Sequence, residues 1–351
     1  MRESVEAIGA ADSMRDAMCM TDRRGQGLRR RPGIRVLTIA VAIAIYPILA
    51  GFDLRHHVVP PDQIRDAGPE KDAIPAVLEP RFVAAADAAF LDSNDKVIGL
   101  TVQGRARAYP IKILNWHEVV DDSVAGTPLA ITFCPLVQDA AVYNRTVGGK
   151  TLTFGVSGKL YQSNLVLYDD DTQSLWSQLE GRALAGPMAG RKLASVPSTL
   201  TTWEVWRKKH PTTDVLNINT GYTRDYGVDP YWGYEHSDQI VSPIAHLDGR
   251  LDAHELVLGL SAGGRDEAFV LSRLGEAPLP LRVELGGADV TITYDAASGA
   301  AAASVSGERL PVYTGYWFAW AAFHPKTAIW SAVKTSKTAT EPGTAPAAAK
   351  R

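Results

Sequence analysis

Apolar and polar positions alternate from Val97 to Val102, the spacing of a strand with one buried face. Gly104 suits a tight turn, and Arg105–Tyr109 returns as the second strand of a hairpin. The period then changes. Pro110 stands where a helix can begin, and Ile111, Leu114 and Glu118 follow at helical spacing. The apolar run Leu129–Phe133 predicts a strand that delivers Cys134, and Ala140–Tyr143 with Thr151–Val156 predict a hairpin around Gly148-Gly149. Thr201 followed by Glu204 is a capping-box pattern. The helix it starts carries Trp203 and Trp206 on one side, as core residues, and stops before Pro211.

The pattern recurs. VIGLTVQGRARAYPIKIL (Val97–Leu114) matches VLGLSAGGRDEAFVLSRL (Val257–Leu274) at a constant spacing of 160 residues. A looser match sets YQSNLVLYDDDT (Tyr161–Thr172) against YWFAWAAFHPKT (Tyr316–Thr327) at a spacing of 155, with His324 in the place of Asp169. Two related β-rich halves, about 82–200 and 245–333, account for both matches. A cleft between such halves is where a binding site is expected. The fold class that follows is α+β: mainly antiparallel β with short helices and two weakly repeated halves, preceded by an N-terminal membrane-anchor helix.

The anchor is read from Val36–Gly51, an uncharged apolar run, short against the roughly 20 residues of a relaxed transmembrane helix. Arg29, Arg30, Arg31 and Arg35 precede it, which by the positive-inside rule puts 1–35 in the cytoplasm as a basic flexible segment. The chain beyond Gly51 then lies outside, on the periplasmic or cell-surface side, or is secreted if the segment is cleaved as a signal peptide. A Pro-rich linker or wrapping segment spans 52–81, the globular domain 82–333, and a low-complexity tail 334–351. The net charge of −3 conceals an asymmetry: residues 1–35 carry eight arginines and five acids, which leaves the rest at −6. An acidic body without a basic stripe excludes nucleic acid as a partner. The loop Gly186–Lys192 lacks the spacing of a phosphate-binding loop, so nucleotide binding has no support.

Cys19 precedes the apolar run and Cys134 follows it, so a membrane would separate them and no disulfide would join them. A lone thiol outside the cytoplasm is either buried or kept for chemistry. Cys134 is therefore a candidate nucleophile or soft metal ligand, and His117, beside Glu118 on the short helix, its base or co-ligand. His324 in the FHP block would complete a two-nitrogen, one-sulfur set suited to copper or zinc. The other histidines have no such setting, and His210 before Pro211 reads as a helix end. A second candidate is the neutral polar and aromatic segment holding Tyr161, Ser163, Asn164, Trp176 and Gln178, which suits a small polar ligand; its alternative is that these groups satisfy turns and buried backbone. Arg224 and Tyr226 in TGYTRDY could reach a carboxylate ligand, or Arg224 could pair with Asp225.

The motifs AYPIKILNWHEVVDD, TFCPL, FGVSGKLYQSNLVLYD, SLWSQLEG, TTWEVWRKKHP, TGYTRDYGVDPY and YWFAWAAFHP resemble those of the bacterial and archaeal family called domain of unknown function 3179. The resemblance runs from about Pro60 to His324. It implies a secreted or membrane-anchored protein and no particular reaction. Many relatives read Cys-Pro-Leu-Cys followed by Gly; here Val137 replaces the second cysteine and Gln138-Asp139 follow. That excludes dithiol redox cycling within the motif, and a four-thiolate zinc site. The reading that leads is a membrane-tethered extracytoplasmic protein with a Cys/His-based metal site or thiol-dependent chemistry. The alternative is a non-catalytic module that binds a small ligand or a partner.

Overall fold

The computed structural model describes residues 51–331. The segment 1–35, nearly all of the predicted anchor and the tail lie outside these residues. Among the described residues no helix is long and apolar enough to cross a membrane. The chain is mainly antiparallel β with a few helices of at most seven residues, and its sheets stand in a propeller-like arrangement.

The alternating segment forms a hairpin of β1 (Lys96–Val102) and β2 (Arg105–Pro110), closed by Gln103 and Gly104 at positive φ. Proline cannot extend the ladder, and α1 (Ile111–His117) follows with Ile113 and Leu114 buried. It ends where Glu118 turns left-handed (φ 57°) and donates its N–H to the Leu114 carbonyl at 2.7 Å. A meander of β3 (Val119–Val124), β4 (Thr127–Cys134) and β5 (Asp139–Asn144) comes next. A separate sheet is built from β6 (Phe154–Tyr161), β7 (Asn164–Asp169), β8 (Leu175–Ser177) and β9 (Ala183–Ala185), with Ile64–Asp66 on its outer edge. Then β10 (Ala194–Ser195) edges the meander, and β11 (Thr199–Thr202) pairs with β1. α2 (Trp203–Lys209) leads to β12 (Asp214–Leu216), parallel to β2.

The same order returns. β13 (Leu256–Ala262), β14 (Arg265–Val270) and α3 (Leu271–Leu274) precede a meander of β15 (Leu281–Leu285), β16 (Ala288–Asp295) and β17 (Ala300–Val305), edged by β18 (Glu308–Leu310). Then β19 (Tyr313–Tyr316) pairs with β13, and α4 (Trp317–Phe323) leads to β20 (Ala328–Ile329), parallel to β14. The hairpins share one burial pattern, position by position, at the spacing of 160.

The match at 155 does not hold, because Asn164–Asp169 is a strand while Trp317–Phe323 is a helix. The counterpart of α4 is α2, at a spacing of 114. Trp203, Trp206, His210, Pro211 and Thr213 correspond to Trp317, Trp320, His324, Pro325 and Thr327. The indole of Trp206 donates to Thr213 Oγ1 (3.1 Å) and that of Trp320 to Thr327 Oγ1 (2.9 Å). Each histidine stacks on its tryptophan, with centroids 4.0 and 3.7 Å apart. Each indole also lies flat on a hairpin glycine: a Cβ on Gly99 would stand 2.2 Å from Trp206, and one on Gly259 2.4 Å from Trp320. The fall in spacing from 160 to 114 makes the first repeat 46 residues longer, and the β6–β9 sheet is the excess.

Two local expectations change. Gly148-Gly149 close only the short pair Thr146–Val147 with Lys150–Thr151, while β5 and β6 belong to different sheets. The chain is redirected because Leu152 and Phe154 bury and the Phe154 N–H donates to Asp121 Oδ2 at 2.8 Å. Thr201 does not cap α2. The first N–H groups of α2, on Trp203 and Glu204, donate to the carbonyls of Asp95 (2.7 Å) and Ser93 (3.0 Å). Trp317 and Phe318 donate in the same way to Glu255 and Ala253, each at the repeat spacing.

The repeats share one core, in which Cys134, Phe154 and Leu167 pack with Val257, Tyr316 and Trp317. They meet at two seams. In one, β5 packs on β19: the Tyr316 N–H donates to the Val137 carbonyl at 3.0 Å and the Thr314 N–H to Asp139 Oδ1 at 3.2 Å. In the other, β11 packs on β17, and Arg309 Nη2 donates to the Ser198 carbonyl (3.1 Å) and to Thr199 Oγ1 (2.7 Å). The Pro-rich stretch wraps this body, with His57 bridging to Ala185 and Val77 to Val120.

Candidate functional site

β4 ends in Cys134, and Pro135–Gln138 turn the chain so that Asp139 becomes its cross-strand partner. The thiol is 1% exposed. Burial first, and then the neighbouring Glu118 carboxylate, push it up to about 12, against the pull of the Leu165, Leu136 and Val137 backbone. Such a thiol stays protonated at neutral pH and is a poor nucleophile.

His117 is also buried, and both ring nitrogens are engaged. Nδ1 stands 2.6 Å from the Pro75 carbonyl, which can only accept, so Nδ1 carries the proton. Nε2 then accepts from Tyr226 Oη at 2.7 Å, and Tyr226 Oη lies 2.6 Å from Thr220 Oγ1. Burial pushes the imidazole down to about 4, so it is neutral. No hydrogen bond joins His117 to Cys134. The expected base–nucleophile pair is therefore not assembled. Nor do Cys134, His117 and His324 form the expected copper or zinc set: among the described residues no three His, Cys, Asp or Glu side chains stand together to hold a metal ion.

The acid whose charge acts on Cys134 is Glu118, which the left-handed cap turns into the core. Tyr231 Oη donates to its Oε1 at 2.7 Å, and burial pushes the carboxyl up to about 7. Its adjacency to His117 was visible, but nothing in the local pattern marks the helix end that aims it inward.

The polar segment proves largely self-satisfied. Asn164 Nδ2 donates to Gln178 Oε1 (2.8 Å), Gln178 Nε2 to Thr132 Oγ1 (3.1 Å), and the Leu179 N–H to Asn164 Oδ1 (3.2 Å). Trp176 Nε1 donates to Asp169 Oδ2 at 2.8 Å, and Ser163 Oγ accepts the Ser242 N–H at 3.3 Å. These buried groups fix the inserted sheet and leave little for a ligand. Tyr161 packs edge-on against Phe323. Arg224 makes no ion pair with Asp225; it lies over the Trp116 ring and donates to its neighbour's carbonyl.

Of the predicted residues, His324 lines the cleft that stands out in the structure. A cleft of ≈ 290 Å³ opens beside the β5–β19 seam, walled by Asp139 and Tyr143 from the first repeat, Glu180 and Lys192 from the insertion, and Tyr313 and His324 from the second. His324 Nδ1 stands 3.2 Å from Asp266 Oδ1, while Nε2 has no hydrogen bond among the described residues. Burial lowers its affinity for a proton, and Asp266 works in the opposite direction. His210, its counterpart, has no such acid, because Ala106 stands where the second repeat has Asp266. Burial pushes the Asp139 carboxyl up to about 7, although the Thr314 N–H and the Gln178 amide favour its charged form. Asp139, Glu180 and Lys192 escaped the sequence reading because they converge only when the repeats dock; the tryptophan–histidine blocks held the recoverable signal.

Among curated proteins and among solved structures, none is significantly similar to the chain. The family model described as Protein of unknown function (DUF3179) matches residues 71–307, which include Cys134, Glu118 and the first-repeat and inserted walls of the cleft but not His324. The chain belongs to this family.

Proposed function

We propose that the protein is a binding module for a small polar ligand, seated in the cleft between the repeats, and that Val36–Gly51 holds it on the outer side of a membrane. The cleft carries this reading: it joins charged and hydroxyl-bearing side chains from three parts of the chain around an imidazole with one nitrogen held by Asp266 and the other unbonded among the described residues. Its size suits a small metabolite rather than a macromolecular surface. The thiol-enzyme alternative is weaker, because Cys134 is sealed and protonated and both ring nitrogens of His117 are engaged elsewhere. The test follows the histidine ring resonances of the full chain during titration with amines, amino acids, sugars and dicarboxylates. Saturable movement of the His324 signals, with an affinity that changes in Lys192→Ala and in Glu180→Gln tested singly, supports the module. If no class moves them or raises the melting temperature, the cleft is not a binding site. Protease added to intact cells should digest the body and spare residues 1–35 if the tether holds.

A further inference from the structure

We propose that the cleft receives the guanidinium group of a small cationic ligand, the place that Arg309 fills at the other seam. This rests on the cleft being a ligand site. The internal symmetry supplies the comparison. At the spacing of 114, SVPSTLTTW (Ser195–Trp203) corresponds to RLPVYTGYW (Arg309–Trp317), so Arg309 has Ser195 as its counterpart. Both residues sit on the strand that edges a meander, Ser195 opposite Tyr143 and Arg309 opposite Ser304. From there Arg309 reaches across its seam to the Ser198 carbonyl, just before β11, and to Thr199 Oγ1 at its start. The equivalents on the open side are the residues Val312 and Tyr313, and both line the cleft, as does Ser195. A serine in place of an arginine leaves that side without its crossing side chain.

The charges on the open side are changed to suit a guest cation. At the Arg309 seam the charges that act on the stacked His210, after burial itself, are cationic, Lys209 first and then Arg309. On the open side the guanidinium is missing and carboxylates have been added. Asp139 and Glu180 line the cleft, and Asp266 backs His324. Glu180 is held only at 3.4 Å by Arg182, which a better-placed guanidinium can displace. Lys192 is the opposing charge in the lining.

Agmatine is the probe, with succinate and glucose as anionic and neutral controls, read by calorimetry and by the His324 ring resonances. Agmatine should bind at one equivalent and move the His324 titration to lower pH, as expected of a cation placed beside it. Ser195→Arg, which gives the open seam its own arginine, should abolish binding. Glu180→Gln should weaken it about tenfold, and Lys192→Ala should tighten it several-fold, the sign opposite to that for an anion. Arg309→Ser should raise the stoichiometry toward two. If Ser195→Arg or Arg309→Ser does not fold, the Glu180 and Lys192 variants still decide the sign. Succinate or glucose binding where agmatine does not would overturn the guanidinium assignment and leave the cleft standing as a site. Silence from every probe would overturn both, and undiminished agmatine binding in Ser195→Arg would place the site elsewhere and refute the proposal.

Discussion

Replacing Glu118 by glutamine should stabilise the protein above neutral pH and do nothing near pH 4. The carboxyl is 5% exposed, has one hydrogen-bond donor in Tyr231, and is pushed from 4.5 to about 7 by burial. A group with a raised folded-state pKa binds its proton more tightly in the folded protein. Its contribution is therefore fully present below about 4.5 and lost as pH rises through 7. A shift of this size corresponds to about 3 kcal/mol carried against the folded state once the carboxyl ionises. Glutamine keeps the oxygen that accepts from Tyr231 and never ionises, so Glu118→Gln should recover on the order of 1–3 kcal/mol at pH 8. For a domain of this size that is a rise of roughly 2–10 °C in melting temperature. The assay is calorimetric melting of both proteins from pH 4 to pH 8, read as the difference between the two curves. Asp121 and Asp139 are also pushed up to about 7 and slope the same way, while His117, pushed down to about 4, slopes oppositely up to about 6.5, so both proteins should lose stability as pH rises from 6.5 to 8. A flat difference curve, or a variant less stable at pH 8, would show that Glu118 is not buried as an acid and would refute the reasoning.

Three further outcomes follow from the same packing. Alanine at Gly99 or Gly259 drives a methyl group into an indole pinned by a threonine and a stacked histidine, and each should cost about 2–4 kcal/mol in denaturant melts; a cost within 0.5 kcal/mol would mean the tryptophan moves freely. In a Cys19→Ser background, Cys134 should resist a disulfide reagent at pH 8 until denaturant is added, and prompt native labelling would reopen the nucleophile reading. Tyr226→Phe strips the donor from buried His117 Nε2 and should cost about 1–3 kcal/mol in chemical denaturation, whereas an unchanged midpoint would show that solvent reaches the ring.

The first hairpin and α1 were legible because alternation, a turn glycine and a proline agree over a short span. The repeat at 160 was legible for the same reason, since Gly99 and Gly259 are held by identical contacts. The rest depended on distant partners. Thr201 and Glu204 look like a cap, yet the N–H groups of α2 are met by carbonyls about a hundred residues earlier. Tyr161–Thr172 resembles Tyr316–Thr327 in composition, but the 46-residue insertion had already moved the true counterpart to Trp203–Thr213. Cys134 and His117 are near in sequence, and proximity suggested a pair; the short helix and its left-handed end instead give the thiol Glu118 as its neighbour.

The way the seams are built has a consequence for how the chain acquires its structure. Each repeat sends its penultimate strand, β11 or β19, to pack on the meander of the other, and each helix that follows begins on carbonyls near the start of its own repeat. Neither repeat can close before much of the other exists, and most stabilising contacts span long stretches of chain. Such topology makes for slow folding and a single cooperative transition. A chain cut between 217 and 251 should yield two pieces that are each protease-sensitive alone and regain protection only when mixed.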